Sequence, residues 1–463
     1  MMDRGSPEPC ASEGDAATQQ TDVLVIGGGP AGSTVATLLA RRGHQVTLLE
    51  KDLHPRFHIG ESLLPANLPL LEQLGVAEQV RAIGMQKWGA EFISPWDGRE
   101  QDFRFAEAWD KSMPYAYQVR RSQFDEILLR NAERAGARVI EQCRVRSVEF
   151  AAEHAPEHAG HAGAHTAGED DGRSAVRIEA EHHDGRRQYW RARYLIDASG
   201  RDTFLSTRFG AKRRNARHNS AAMFAHFSGA ARHEGERAGH ISIYWFDHGW
   251  FWFIPLHDGA TSVGAVVWPY YLKSRSVPVR EFFLATIALC PPLAQRLAAA
   301  TLSTEVEATG NYSYSSIRSY GKHYLLLGDA YAFIDPVFSS GVMLAMNSAF
   351  VGAEAVDTCL RTPARARRAL RTFDRSVRRG PREFSWFIYR VTSPAMRELL
   401  LAPRNLLRMK EALLSVLAGD IFGRTPIWRS VRAFKLTYGI FSLLHPLRTV
   451  LAARRRSLNI RPA

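Results

Sequence analysis

The chain has 463 residues, 45% of them hydrophobic and 23% charged, which matches a globular enzyme larger than one ordinary domain. No apolar run is long enough to span a bilayer, and the polar first twenty residues lack the features of a signal peptide. The formal net charge of +13 is uneven, since 23 Lys and Arg stand against 5 Asp and Glu from Arg361 onward.

Residues 1–20 are predicted to form a disordered extension, and the first ordered element is a strand over Asp22–Ile26. A glycine-rich turn, a helix over Ser33–Arg42 and a strand over Gln45–Leu49 follow, as in a βαβ unit. The turn contains the G-x-G-x-x-G pattern and its neighbours: Gly27, Gly29, Pro30, Ala31 and Gly32. Such a turn lets the backbone approach a pyrophosphate at a helix N-terminus, and Glu50 can accept the ribose hydroxyls of an adenosine. The spacing predicts a dinucleotide site.

Further along, residues 151–187 are rich in His, Ala, Gly, Glu and Asp, and we expect an extended loop between two strands there rather than a metal site. Aromatic-rich strands are predicted over Ser242–Phe246 and Trp250–Pro255. A late strand over Tyr324–Leu327 precedes a helix over Val342–Leu360, and the chain beyond Arg361 has a helical pattern. The four cysteines show neither pairing nor C-x-x-C spacing, so we expect a reducing, cytoplasmic location and no metal.

Several short motifs stand in a characteristic order. Gln118–Asp125 resembles the "V-x-R-x-x-F-D" helix start of the para-hydroxybenzoate-hydroxylase-like FAD superfamily, and Asp197–Gly200 and Gly328–Ala330 resemble its two strand-end motifs. The resemblance implies FAD as the cofactor, with Arg121 near it and Asp329 binding its ribityl hydroxyls.

A second group of motifs is similar to those of flavin-dependent halogenases. Gly60–Pro65 reads G-E-S-L-L-P, Trp250–Pro255 fits W-x-W-x-I-P, and Phe333–Gly341 fits F-x-x-P-x-x-S-x-G. Lys87 lies in a K-x-G-A-x-F context. The resemblance implies a catalytic role for Lys87. Apolar neighbours such as Trp88 could lower the pKa of its amine. The resemblance also implies that Trp250 and Trp252 separate the flavin from the substrate; alternation along a strand places both on one face.

The same resemblance implies the remaining contacts. Glu61, Ser62, Pro336 and Gly341 are expected beside the flavin, and a halide is expected at Ser339, Ser340 and Gly341. Tryptophan halogenases carry a glutamate where this chain has Phe338, so the likeness is closer to the branch that acts on phenols and pyrroles. A halogenase of this kind takes reduced FAD from a separate flavin reductase and uses O2 with chloride or bromide. The carboxylate that removes the ring proton stays unassigned.

We therefore predict an α/β fold with a Rossmann-like FAD-binding domain, a β-sheet substrate domain and a basic helical C-terminal region. The expected FAD-binding segments are 21–80, 116–205 and 320–360, the substrate-binding segments are 81–115 and 206–319, and the helical region is 361–463.

Two other enzymes of the same fold remain open: an FAD-dependent aromatic hydroxylase, and a reductase of polyprenyl or polyene lipids. The basic C-terminal region is most simply a set of solvated helices, but it could dock an acyl or peptidyl carrier protein that bears the substrate, or touch a membrane surface. No nucleic-acid motif accompanies the charge, so a nucleic-acid partner is not expected.

Overall fold

The computed structural model describes residues 18–151, 175–215, 218–310, 313–423 and 425–444. These residues form an α/β fold, as predicted, in which two large sheets are joined by helices.

The strands are β1 (Gln19–Ile26), β2 (Val46–Leu49), β3 (Met85–Lys87), β4 (Gly89–Ile93), β5 (Glu100–Arg104), β6 (Ala116–Gln118), β7 (Arg138–Ile140), β8 (Cys143–Phe150), β9 (Val176–His182), β10 (Arg187–Asp197), β11 (Lys212–Arg214), β12 (Ala221–Ser228), β13 (Ile241–Phe246), β14 (Gly249–Pro255), β15 (Thr261–Val267), β16 (Thr301–Leu302), β17 (Glu307–Gly310), β18 (Tyr314–Ser316), β19 (Tyr324–Leu326) and β20 (Ala332–Phe333).

The helices are α1 (Pro30–Arg41), α2 (Leu68–Leu74), α3 (Ala77–Ile83), α4 (Arg121–Arg134), α5 (Phe204–Arg208), α6 (Pro269–Lys273), α7 (Val279–Ala288), α8 (Pro291–Arg296), α9 (Gly341–Arg361), α10 (Ala366–Ile388), α11 (Pro394–Leu401), α12 (Met409–Ala418) and α13 (Trp428–Leu444).

The first sheet has the strand order β7-β2-β1-β10-β9-β8, with β19 also paired to β10. Its strands β7, β2, β1, β10 and β19 run parallel, and the nearly continuous apolar run of β1 is buried between helices, as parallel strands require. Because parallel strands end at the same edge, the segments that follow β1, β2, β10 and β19 meet there.

The second sheet has the order β16-β12-β15-β14-β13-β4-β5, with β17 beside β12. Alternation divides β14 between its two faces. Phe251 and Phe253 pack with Phe283 of α7 on one side, whereas Trp250 and Trp252 belong to an apolar cluster that includes α10 to α13 on the other. The C-terminal helices therefore cover the face of the second sheet that carries the two tryptophans.

The structure corrects two boundaries. Strand β1 begins at Gln19, inside the predicted extension, and the predicted loop over 151–187 was too long because β9 and the start of β10 lie within it. Strands β9 and β10 form a hairpin with a solvated face, and such a face is rich in charged residues like the loop before it. Composition alone therefore does not show where the loop ends. Residues 1–17, 152–174 and 445–463 lie outside the described part of the chain. Within that part, every helix is too short or too polar to cross a bilayer.

Candidate flavin and halogenation site

A cavity of about 350 Å³ lies at the carboxyl edge of the first sheet and reaches the tryptophan face of the second. Most of the residues predicted from motifs line it: Gly27, Gly29, Pro30, Ala31, Glu50, Glu61, Ser62, Arg121, Trp250, Trp252, Asp329, Pro336, Ser339 and Gly341. Gly32, Lys87 and Ser340 are not among its lining residues. The structure thus brings segments more than 300 residues apart to one cavity.

The glycine turn forms one end of this cavity. Gly27 has a φ of +99°, which side chains disfavour. A Cβ built on Gly32 would lie 1.9 Å from the carbonyl oxygen of Gly27, so only glycine lets α1 pack this close to β1. No side chain caps α1, and its first N–H groups face the cavity beside Gly29 and Ala31. Free N–H groups at a helix N-terminus suit a diphosphate.

Glu50 follows β2 and lines the cavity next to this turn. Its carboxylate accepts hydrogen bonds from the backbone N–H of Gly28 at 2.5 Å and of Asp52 at 2.9 Å. These bonds fix the carboxylate where the adenosine ribose was predicted to bind.

Arg121 begins α4 and lies on another side of the cavity. Its Nε and Nη2 donate to the two carboxylate oxygens of buried Asp125 at 2.8 and 2.9 Å, and its Nη1 donates to the carbonyl of Ile59 at 2.9 Å. Burial alone would raise the pKa of Asp125, but the adjacent Arg121 guanidinium holds it below its usual range. The hydrogen bond from Arg121 to the carbonyl of Ile59 ties α4 to the segment that carries Glu61 and Ser62.

Asp329 follows β19 and lines the cavity. Burial raises the pKa of its carboxyl to about 6. The buried carboxyl has lost hydrogen bonds to water, and the hydroxyl groups of a ligand in the cavity would replace them.

Two indoles form the wall toward the second sheet. Trp250 and Trp252 both line the cavity, with ring centroids 6.1 Å apart, as the alternation along β14 predicted. The Nε1 of Trp252 donates to Ser262 Oγ at 3.1 Å. The Trp252 ring lies flat over β15, because a Cβ built on Gly264 would be 2.2 Å from its Cζ2. Sequence reasoning missed Gly264, since a single glycine in a strand carries no specific signal.

The N-terminus of α9 closes a further side. Ser339 has a φ of +55° and lines the cavity together with Gly341. Ser340 is 1% exposed, lies off the cavity, and its Oγ has no hydrogen-bond partner among the described residues. Before this turn, buried Asp335 accepts from His218 at 2.9 Å and Ser220 at 2.8 Å. The predicted halide position is thus an uncapped helix N-terminus held by a buried carboxylate.

Lys87 lies behind the cavity wall rather than in it. Its side chain is 1% exposed, and Nζ donates to Ser62 Oγ at 2.9 Å and to the carbonyl of Leu63 at 3.1 Å. Burial lowers the pKa of its amine to about 7. The aromatic ring near Nζ is that of Phe105, with its centroid 5.3 Å away, whereas the predicted neighbour Trp88 packs on Tyr115. Ser62 touches both the cavity and Lys87, so it separates the two.

A buried pair that the sequence did not reveal lies next to Ser62. Glu61 Oε1 and His226 Nε2 are 2.9 Å apart, and both side chains are at most 3% exposed. Glu61 Oε2 has no hydrogen-bond partner among the described residues, although Glu61 lines the cavity. His226 lies 165 residues further along the chain, so no local pattern could have paired them.

The lining residues fit a flavin dinucleotide. An uncapped helix and a glycine turn suit the diphosphate, Glu50 suits a ribose, and Asp329 suits a polyol chain. The indoles of Trp250 and Trp252 supply an apolar wall for an aromatic ring system.

Comparison with known proteins agrees with this geometry. Residues 20–379 match the family described as "FAD binding domain". The chain is 36% identical over 346 residues to tryptophan 2-halogenase of Chondromyces crocatus, covering 73% of this chain and 62% of that protein. It is 28% identical over 424 residues to 1H-pyrrole-2-carbonyl-[peptidyl-carrier protein] chlorinase of Pseudomonas fluorescens, covering 87% and 89%.

Solved structures are similar as well. The myxobacterial chondrochloren halogenase CndH superposes with a TM-score of 0.73 at 34% identity, covering 89% of this chain and 93% of that chain. A flavoprotein/dehydrogenase from Cytophaga hutchinsonii superposes with a TM-score of 0.80 at 27% identity, covering 92% and 100%. The extent of these matches confirms the FAD-binding fold, and this chain belongs to the flavin-dependent halogenases.

Proposed function

We propose that this protein uses reduced FAD, O2 and chloride or bromide to halogenate an electron-rich aromatic ring, with Lys87 directing the reaction. The observation that carries the proposal is the buried amine of Lys87, hydrogen-bonded to a serine that lines the flavin cavity. Lys87 has no carboxylate partner in the described part of the chain. Burying such a lysine is costly, and such a site is typical of a catalytic group rather than a stabilising one.

The bound flavin would supply the oxidation of halide by O2 to hypohalous acid. The overall reaction balances as FADH2 + O2 + halide + ArH + H⁺ giving FAD + ArX + two waters. The chain would hold the halide at the N-terminus of α9, where Ser339 and Gly341 line the cavity. Trp250 and Trp252 would keep the aromatic substrate away from the flavin, so that only the small oxidant leaves the cavity.

Lys87 would then hold or react with the hypohalous acid and aim it at the ring. With a pKa of about 7, much of its amine is neutral at neutral pH and can accept a proton or an electrophilic halogen. Ser62 would fix the direction of the amine through its 2.9 Å hydrogen bond. Glu61 lines the flavin cavity, and its Oε2 has no hydrogen-bond partner among the described residues, so we propose that it contacts the flavin. The carboxylate that removes the ring proton stays unassigned.

A phenolic or pyrrolic substrate is proposed from the segment Pro336–Gly341, where Phe338 replaces the glutamate of tryptophan halogenases. Phe338 is buried and packs on Phe387 of α10, with centroids 6.5 Å apart, so this position carries no charge that could pair with an amino group. The similarity to a chlorinase of carrier-bound pyrrole supports a substrate that is either free or bound to a carrier protein. A separate flavin reductase is proposed as the source of reduced FAD.

The aromatic hydroxylase and the lipid reductase remain the alternatives. Neither reaction requires a buried lysine beside the flavin cavity. Because the chain is also similar to a flavoprotein/dehydrogenase, the experiment measures halide-independent products separately.

The test combines purified protein, FAD, NADH and a flavin reductase with chloride or bromide and a panel of phenols, pyrroles and indoles, free and carrier-bound. We expect products with a halogen isotope pattern, whose formation falls at least a hundredfold in Lys87→Ala while FAD binding is retained. Lys111→Ala, which removes an exposed lysine, is the control. Halide-independent oxygenated or saturated products would refute halogenation, and full activity of Lys87→Ala would refute the role of the lysine.

A further inference from the structure

Six exposed aliphatic side chains form an apolar patch on the C-terminal helices. On α13, Leu436, Ile440, Leu443 and Leu444 are 68%, 50%, 80% and 69% exposed, and their spacing of four, three and one places them on one face. Leu406 and Leu407, in the turn before α12, are 69% and 67% exposed. Single exposed leucines are common, but four exposed aliphatic side chains on one helix face mark an interaction site.

The turn that carries Leu406 and Leu407 has an unusual backbone conformation. Leu407 and Arg408 have φ values of +52° and +56°, so two successive residues other than glycine adopt the left-handed region. The turn is joined to α13 through Thr437, whose Oγ1 donates to the Sδ of Met409 at 3.6 Å. This contact holds the start of α12, which follows the two leucines, against α13.

Positive charge accompanies the patch. Arg429 and Arg432 are exposed on the same face of α13, two turns and one turn before Leu436 respectively, and among the described residues neither has an acidic partner. From Ile421 to Ala463 the sequence contains nine Arg and Lys but no Asp or Glu. The exposed face of α13 thus changes from basic to apolar along its length.

We propose that this patch and its flanking arginines bind the surface of an anionic lipid bilayer, so that the enzyme is a peripheral membrane protein. Arginines meet the phosphates of lipid headgroups while the leucines enter the acyl boundary, as in other interfacial helices. The inference is independent of the halogenation chemistry and adds a site of action to it.

Charge separates this occupant from two others. A second copy of the chain would bring its own Arg429 and Arg432 toward the same basic face, and like charges would oppose that interface. An acidic carrier protein would be attracted by the arginines but would leave the protruding Leu443 and Leu444 without an apolar partner. An anionic bilayer satisfies both halves of the face.

The test is flotation of the full, FAD-loaded chain with vesicles of phosphatidylcholine alone or with about one third phosphatidylglycerol. We expect binding to the anionic vesicles at about 0.1 M salt and release at about 0.5 M, where the screening length is shorter. Leu443→Ser/Leu444→Ser and Arg429→Ser/Arg432→Ser should each lower the partition coefficient about tenfold or more. Leu289→Ser, which removes a leucine that is 53% exposed at the end of α7, should change nothing.

Circular dichroism and FAD absorbance establish that each variant is folded. Failure to float with anionic vesicles, or equal binding of both double variants and the wild-type chain, would overturn the proposal. Saturable binding of an acidic carrier protein, lost in the same variants, without flotation would assign the surface to that partner instead. Self-association lost in the leucine variant, again without flotation, would assign it to a second copy.

Discussion

At the scale of single residues, the burial of Lys87 lowers the stability of the fold. An amine with its pKa lowered from 10.5 to about 7 is held in a site that disfavours its charged form. Because the pKa of Lys87 is lower in the folded chain than in the unfolded chain, its burial costs no free energy of unfolding at a pH above the unfolded-state pKa. The penalty grows as the pH falls toward 7 and is complete below that.

Lys87→Met should therefore raise the free energy of unfolding. The penalty removed is on the order of 5 kcal/mol below pH 7, and losing the hydrogen bonds to Ser62 and Leu63 offsets about 1–2 kcal/mol of it. We expect a net gain of about 3 kcal/mol at pH 6.5 that shrinks toward zero at pH 9.5, measured by urea unfolding at both pH values. Lys111→Met should show no such pH-dependent gain. If Lys87→Met is less stable than the wild-type chain at pH 6.5, burial of the Lys87 amine does not lower the stability of the fold.

At the scale of elements, the position of the Trp252 indole depends on the neighbouring strand. Gly264 of β15 leaves the space in which the ring lies, and Ser262 of the same strand accepts its N–H. Two small residues of β15 thus set the position of the indole that lines the cavity.

Gly264→Ala should push the indole off β15, because the added Cβ would overlap its ring. We expect a loss of about 1–3 kcal/mol in the free energy of unfolding and a fall in the halogenated product formed per O2 consumed. Gly310→Ala on β17 is the matched control, since a Cβ there meets nothing within 4 Å. Unchanged coupling of O2 to product in Gly264→Ala would mean that the wall tolerates a displaced Trp252.

Local patterns predicted much of the fold and part of the site. The glycine turn, strand β14 and the start of α9 each carry their signal within a few residues, so their elements could be predicted. The pairing of Glu61 with His226, the space above Gly264 and the depth at which Lys87 is buried depend on strands that meet only in the folded chain. A single histidine or glycine has too many ordinary uses to reveal such contacts.

At the scale of the whole molecule, the C-terminal helices are held by apolar packing rather than by charge. Arg99 and Glu398 form a bidentate ion pair between the second sheet and α11, but both are more than 40% exposed. Buried Leu414 of α12 belongs to the same apolar cluster as Trp250 and Trp252. Exposed pairs of this kind contribute little, whereas buried leucines contribute strongly.

We expect Glu398→Ala to leave the free energy of unfolding essentially unchanged and Leu414→Ala to lower it by about 2–5 kcal/mol. Urea unfolding of both variants at low and high salt checks this. A salt-sensitive loss in Glu398→Ala as large as that in Leu414→Ala would show that charge holds the layer.

The cavity is walled by segments from the glycine turn at Gly27 through to Ala345 of α9. Strand β19, which precedes Asp329, joins a sheet whose first strand was made some 300 residues earlier. A nascent chain therefore has no complete cavity for the cofactor until the residues through Ala345 have left the ribosome. Tight binding of FAD must therefore follow the synthesis of α9 rather than that of the glycine turn.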